Sequence, residues 1–273
     1  MNRGVKRWLA FADWRSWAVF RRNGRVYLRN WKTAFFPPAM EPIIYFLTFG
    51  LGLAGYVGTL AWNGHELAYP QFLAPGLLAY AGFSTPFFEA LYSAYVRMFY
   101  QKTWDGILAT QVELHHLVWG EILWAGARGA MNSAAVALVL GGFHVAGIID
   151  VAWGWLFVLP FLCGLTGCAF AALGLLFTAI VPSIDHMNYP AFLIGVPIGL
   201  ISNTYFPVRS DVAIVQVLIE INPVYHLAET CRSLLVTGAV GIEAGKLALT
   251  TLGLLAIAVP IVMRLMRRRV LGD

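Results

Sequence analysis

The stretch WGWLFVLPFLCGLTGCAFAALGLLFTAIV, residues 153–181, runs without a single charged side chain. A helix crosses the hydrocarbon core of a bilayer in about 20 mainly apolar residues, so this segment places the chain in a membrane. Working outward, five more candidate spans flank it, at roughly 34–58, 72–97, 119–143, 187–206 and 246–266. The composition agrees: 59% of the 273 residues are hydrophobic, 12% are charged, and the mean hydropathy is +0.68. A soluble domain carries about twice that share of charge. The expected fold is an all-α integral membrane bundle of six transmembrane helices.

The charges are placed as unevenly as the apolar residues. Of 19 Lys and Arg, 9 precede residue 33 and 4 follow residue 263. An even number of spans puts both termini on one side. That side also receives Arg97 and Lys102, whereas Arg209, Arg232 and Lys246 fall opposite. By the positive-inside rule both termini are cytoplasmic. The net charge of +5 therefore flanks apolar spans and faces lipid headgroups, and no nucleic-acid partner is expected. Within residues 1–33, Trp8, Phe11, Trp17 and Phe20 alternate with Arg3, Lys6, Arg7, Arg15, Arg21, Arg22, Arg25 and Arg29. That mixture predicts an amphipathic interfacial helix, broken near Asn23-Gly24 and entering the first span through Pro37-Pro38. The remainder, residues 34–273, is read as one six-span domain.

Two connections are more than linkers. The cytoplasmic loop contains Thr103, Trp104, Asp105, Gly106, Ile107 and Leu108, which begin like a capped helix, and a short helix is expected over about 103–116. On the other side, about 206–245 is half apolar and interrupted by Phe206-Pro207 and Asn222-Pro223. It predicts short re-entrant helices, tolerated where protein or a water-filled cavity satisfies the broken backbone.

Several segments, in order, carry a family resemblance. They are Phe49-Gly50-Leu51-Gly52-Leu53, Phe72-Leu73-Ala74-Pro75-Gly76-Leu77, Lys102 to Thr110 followed by Gly120-Glu121, and Gly164 to Phe170. Ser202-Asn203-Thr204-Tyr205-Phe206-Pro207 and Asn222-Pro223-Val224-Tyr225-His226 with Arg232 complete the series. The chain resembles the permease subunits of ABC type-2 exporters, most closely the nodulation-factor (NodJ-type) branch, over nearly its whole length. The resemblance implies a homodimer in a bacterial inner membrane, coupled to a separate nucleotide-binding ABC ATPase that holds ATP and Mg, with no cofactor on this chain. It implies that residues 103–108 form the coupling helix and that the first, second and fifth spans line the export pathway. The cargo it implies is amphipathic: a lipo-oligosaccharide, a lipid-linked glycan or a glycolipid, with hydrophobic drug efflux as the alternative. Two positions depart from the family pattern: Gln111 where Pro is usual, and Asn203 where Gly is favoured before Thr and Phe-Pro.

Other chemistry finds little support. Gly50-Leu51-Gly52-Leu53-Ala54-Gly55 fits the dinucleotide fingerprint but ends a membrane span instead of joining a strand to a helix, so it reads as helix packing. A P-loop ending at Gly245-Lys246 would need Gly at 240, which is Val240, and Ser or Thr at Leu247. His115 and His116 project about 100° apart on a helix and make a poor metal pair. Cys163, Cys168 and Cys231 read as free thiols in apolar surroundings. Gly195 and Gly199 mark a close helix contact that also fits a dimer interface. A lipid-modifying enzyme would need a paired carboxylate, a nucleophile triad or a metal cluster, and an ion-coupled carrier would need inverted repeats. Neither pattern is found.

Ionisable residues inside spans are costly unless they face protein or water. Glu41, Glu89 and Arg128 each lie 7–9 residues from the cytoplasmic end of their spans. At 1.5 Å per residue they reach roughly the same depth, 10–14 Å, and Arg128 can pair with Glu89 or with Glu41. Such groups either hold the bundle or contact a polar headgroup or sugar. The substrate-pathway candidates are therefore Glu41, Glu89 and Arg128 together with the aromatic and polar residues Tyr45, Phe49, Asn203 and Tyr205.

Overall fold

The computed structural model describes residues 9–208 and 210–272. Expectations resting on Arg3, Lys6, Arg7, Trp8 and Arg209 fall outside these residues. After a 3-10 turn at Leu9–Ala12, helix α1 spans Trp14–Arg29. The Asp13 carboxylate caps it by accepting from the Arg15 backbone N–H at 2.9 Å. That bond, together with the nearby His116 imidazole, holds the Asp13 carboxyl below the usual carboxylate range. Helix α1 runs unbroken through Asn23-Gly24, contrary to expectation, and ends at Asn30. Gly24 instead lets α1 lie against the Trp124 ring, which an added Cβ would meet at 3.4 Å. The outer face of α1 exposes Trp14, Trp17 and Leu28, the pattern of a helix lying at a membrane surface.

Helix α2, Trp31–Tyr45, continues as a π segment, Phe46–Leu51. A single turn at Ala54–Val57 leads to a β-hairpin, β1 Thr59–Trp62 against β2 His65–Ala68, which the all-α reading did not anticipate. Its turn, Asn63-Gly64, has φ of +46° and +83°, as a two-residue hairpin turn demands. Helix α3, Tyr69–Phe88, is extended by π segments Glu89–Ser93 and Val96–Tyr100. The short α4 covers only Thr103–Leu108, and residues 114–116 belong to the first turn of α5, Leu114–Val145. The side-chain cap expected for α4 is absent; Lys102 precedes it in a left-handed conformation. Helix α6 spans Leu159–Ile180. Helix α7 is assembled from Asn188–Pro190, a π segment Ala191–Gly195 and Val196–Leu200, so the expected fifth span stops short and turns through 201–206. Helices α8 (Ala213–Glu220), α9 (Pro223–Thr237) and α10 (Glu243–Leu271) complete the chain.

Four of these helices are long and apolar enough to cross a membrane by length and composition: Trp31–Leu51, Leu114–Val145, Leu159–Ile180 and Glu243–Leu271. Helices α3, α5 and α6 pack as the central trio, with α10 on α6, α9 against α3 and α10, and α1 on α5. Glycine makes the central contacts possible. A Cβ at Gly129 of α5 or Gly167 of α6 would meet Pro86 Cγ of α3 at 2.5 and 2.6 Å. Gly195 and Gly199 of α7 lie against Phe87 and Tyr80 of α3, so this pair packs within the chain. Basic side chains gather at one end of the bundle: Arg22 reaches Thr103, and Arg269 donates to the carbonyls of Thr178 and Val181. The hairpin, the α5–α6 turn and the α8–α9 region meet at the other end, where Trp62 bonds Glu229 and Gln71 bonds the Asp150 carbonyl.

Candidate functional site

At the basic end a chain of charges runs from α4 into the bundle. Trp104 of α4 is fully buried and donates its indole N–H to Glu121 Oε1 at 3.3 Å. Glu121 also accepts both arms of the Arg97 guanidinium, at 3.2 and 2.6 Å. The remaining nitrogen of Arg97 donates to Glu89 Oε1 at 2.8 Å. Glu89 accepts from Trp124 Nε1 at 3.1 Å, and its second oxygen accepts from Arg128 Nη1 at 3.0 Å. Arg128 completes the series by donating to the Ala34 carbonyl at 2.9 Å and lying 4.7 Å over the Tyr27 ring. One continuous set of contacts thus joins α4, the helices α3 and α5, the start of α2 and α1.

The local geometry explains why these residues meet. Glu121, Trp124 and Arg128 are spaced by three and four, which places them on one face of α5. Glu89 and Arg97 are eight apart, about 80° round a regular helix, and the i to i+5 bonding of the two π segments reduces the twist between them. Two carboxylates and two guanidinia make the group neutral, as burial requires. Glu89 and Glu121 are 6% and 2% exposed.

Of the two pairings left open for Arg128, Glu89 is the partner and Glu41 is not. Arg97, Glu121 and Trp124 were missed as members of this site. Charge sorting places Arg97 only at the cytoplasmic end of the second span. Glu121 sits three residues before Trp124 and seven before Arg128, a spacing that would have revealed it.

Glu41, Tyr45, Phe49 and Tyr205 form a separate group. Glu41 lies one turn before Tyr45 on α2. The Tyr45 ring lies 5.9 Å from Phe49 and 6.0 Å from Tyr205, and Phe49 lies 6.3 Å from Tyr205. Tyr80 of α3, which sequence reasoning passed over, joins them 6.0 Å from Tyr205. These rings are half-buried and offer polar edges on an apolar surface.

Asn203 lies elsewhere, in a buried knot at the hairpin end. Its amide donates to Glu229 Oε1 at 2.5 Å, its side-chain oxygen accepts from the Val208 N–H at 2.7 Å, and its carbonyl accepts from Arg232 Nη2 at 2.8 Å. Arg232 also pairs with Glu229, donates to the Phe72 carbonyl and stacks 3.8 Å over the Phe72 ring. Thr103 accepts from Arg22 at 3.4 Å, Ile107 and Leu108 are half-buried, and Asp105 and Gly106 are exposed. One face of α4 is therefore anchored and the other is free.

A family model described as ABC-2 type transporter matches residues 15–236. Nodulation protein J of Rhizobium leguminosarum bv. trifolii is 31% identical over 218 residues, 80% of each chain. Nodulation protein J of Rhizobium meliloti (strain 1021) is 28% identical over 237 residues, 86% of this chain and 87% of that one. Inner membrane transport permease YadH of Escherichia coli (strain K12) is 24% identical over 250 residues, 88% of each. No solved structure matches the chain significantly.

Proposed function

Because the chain belongs to the ABC-2 type transporter family, whose members are membrane transport components and not enzymes, we propose that it is the permease subunit of an ATP-driven exporter. It works as a six-span homodimer with a separate nucleotide-binding ATPase, both termini in the cytoplasm of a bacterial inner membrane. The cargo is amphipathic, of the lipo-oligosaccharide, lipid-linked glycan or glycolipid kind, in keeping with the relatives named Nodulation protein J.

The observation that carries this reading is the anchoring of α4. Its exposed face, with Asp105, is free to meet an ATPase, while its buried face, with Trp104, is bonded to Glu121 and through it to Arg97, Glu89 and Arg128. A push on α4 is resisted by no flexible linker at that point. It passes to α3 and α5 through charge-assisted bonds, which are short and directional. A cleft of about 590 Å³ beside α4, bordered by Gln111, Glu113, His115 and Arg267, adds polar surface for the same partner. The aromatic group around Tyr45, Phe49, Tyr80 and Tyr205, with Glu41 at its edge, supports a route for a cargo with both ring-stacking and hydrogen-bonding parts.

The test separates docking from transmission. In a purified permease–ATPase complex, Asp105→Ala is expected to lower cargo-stimulated ATP hydrolysis severalfold without changing membrane insertion. Trp104→Phe keeps the buried ring but removes its donor to Glu121; it is expected to retain ATPase binding and to reduce transport per ATP. Unchanged coupling in both variants would refute the assignment.

A further inference from the structure

A cleft of about 280 Å³ opens between the interfacial helix α1 and the π-helical end of α3. Its polar wall is formed by Arg22, Asn23, Arg97 and Gln101, and its apolar rim by Val26 and Val96. Two observations at this cleft are independent of the coupling chain. First, the Asn23 side chain is 4% exposed and its Nδ2 is buried without a hydrogen-bond partner. A ligand acceptor would satisfy that donor. Second, the guanidinium of Arg22 makes its described hydrogen bonds to neutral oxygens, Asn23 Oδ1 at 3.0 Å and Thr103 Oγ1 at 3.4 Å. No carboxylate pairs with it among the described residues, whereas Arg97, on the same wall, is matched by Glu89 and Glu121. Burial, and then the proximity of Arg97, lower the Arg22 guanidinium from its ordinary value, and the Glu121 carboxylate offsets this only in part.

We propose that this cleft binds the phosphate of a net-anionic inner-leaflet lipid headgroup, received by the Arg22 guanidinium and the Asn23 amide, where no headgroup ammonium opposes Arg22 and Arg97. The cleft is slightly smaller than the roughly 300–1,000 Å³ of drug-sized sites, so it takes a headgroup and leaves the acyl chains outside. The exposed Val26 at the rim offers apolar surface to the start of those chains. Arginine suits the task, since its planar fork addresses two phosphate oxygens at once. Because Arg22 also holds Thr103 of α4, an occupied cleft fixes the interfacial helix against the loop helix.

The experiment uses the full-length protein in phosphatidylcholine nanodiscs containing a minor share of phosphatidylglycerol, with retained lipid read by native mass spectrometry after detergent washing. The wild type is expected to retain phosphatidylglycerol over phosphatidylcholine by roughly tenfold, because the choline ammonium sets a like charge beside Arg22 and Arg97. Arg22→Gln and Asn23→Leu should bring the two lipids close to parity. Arg25→Gln, an equal loss of charge on the exposed face of the same helix, should leave the preference intact. Displacement by millimolar inorganic phosphate would show that the phosphate group suffices; resistance to it would show that the lipid headgroup is needed, and either supports the site. Equal retention of both lipids by the wild type, or equal effects of Arg22→Gln and Arg25→Gln, would overturn it.

Discussion

Asn203 adopts φ of +58°, a left-handed conformation that costs a residue bearing Cβ about 1–2 kcal/mol and that Asn tolerates better than most. The position where the family favours Gly is thus one where the backbone needs a positive φ. Asn meets that need and adds two side-chain bonds, to Glu229 and from Val208. Three variants separate the terms. Asn203→Gly keeps the backbone relaxed and loses the bonds, one of them to a carboxylate, at a cost of about 1.5–3 kcal/mol. Asn203→Ala loses the bonds and adds strain, so thermal unfolding in detergent should rank Asn above Gly above Ala. Asn203→Ala matching Asn203→Gly would show that the left-handed backbone is of no consequence. The substitution itself was legible in the sequence; its reason was not, because Glu229 and Trp62, which complete the knot, lie 26 and 167 residues from their partners. For the same reason the bonds of Asn203 to Glu229, Val208 and Arg232 could not be read from its own segment. Glu89 and Arg128 were legible because equal depth from a span end is a property of local sequence, whereas Arg97 was hidden by the π turns that rotate it inward.

At the level of elements, the three central helices cross at one point. Pro86 of α3 presses its ring against Gly129 of α5 and Gly167 of α6, and the Gly82 carbonyl, whose i+4 donor Pro86 lacks, lies beside both glycines. A methyl group at Gly167 would fall 2.6 Å from Pro86 Cγ, so Gly167→Ala should destabilise the bundle by about 1–3 kcal/mol through overpacking. Replacing the ring with Pro86→Ala removes the obstacle. The double variant should therefore recover part of the loss, giving a coupling energy of at least about 0.5 kcal/mol in thermal unfolding. Strict additivity of the two changes would show that the crossing is looser than its geometry indicates. Most of these elements were legible from hydrophobic length alone, and α5, α6 and α10 lie within a few residues of expectation. The hairpin was missed although Asn63-Gly64 is a strong turn signal, because the search was for 20-residue spans and its strands have four residues each. The break expected at Asn23-Gly24 did not occur, since the glycine serves contact with Trp124 and not flexibility.

At the scale of the whole molecule, the first span is the least covered. Only 19% of its apolar window is buried within the chain, against 61% for α6. Exposure to acyl chains would account for Ile44, Leu47 and Leu51, but Glu41 lies on the same face, three residues before Ile44, and is exposed. A carboxyl on a lipid-facing surface costs several kcal/mol, so this face calls for a polar route or a protein neighbour. On α6, by contrast, Phe157 leads into an exposed stripe of Phe161 and Leu165 that carries no ionisable group and suits lipid. A two-fold dimer built on the first span would bring each residue near the axis close to its own copy. Cysteines introduced singly at Ile44, Leu47 and Leu51 should then form intermolecular disulfides on mild oxidation in the membrane, at whichever of the three brings its Cα atoms within about 7 Å. Phe161→Cys should form no intermolecular disulfide. The native thiols add little background, because Cys163 and Cys231 are buried and Cys168 is half-buried. Cross-linking at Phe161 with none along the first span would move the dimer interface to α6 and would leave the Glu41 carboxyl to a water-filled route within one chain.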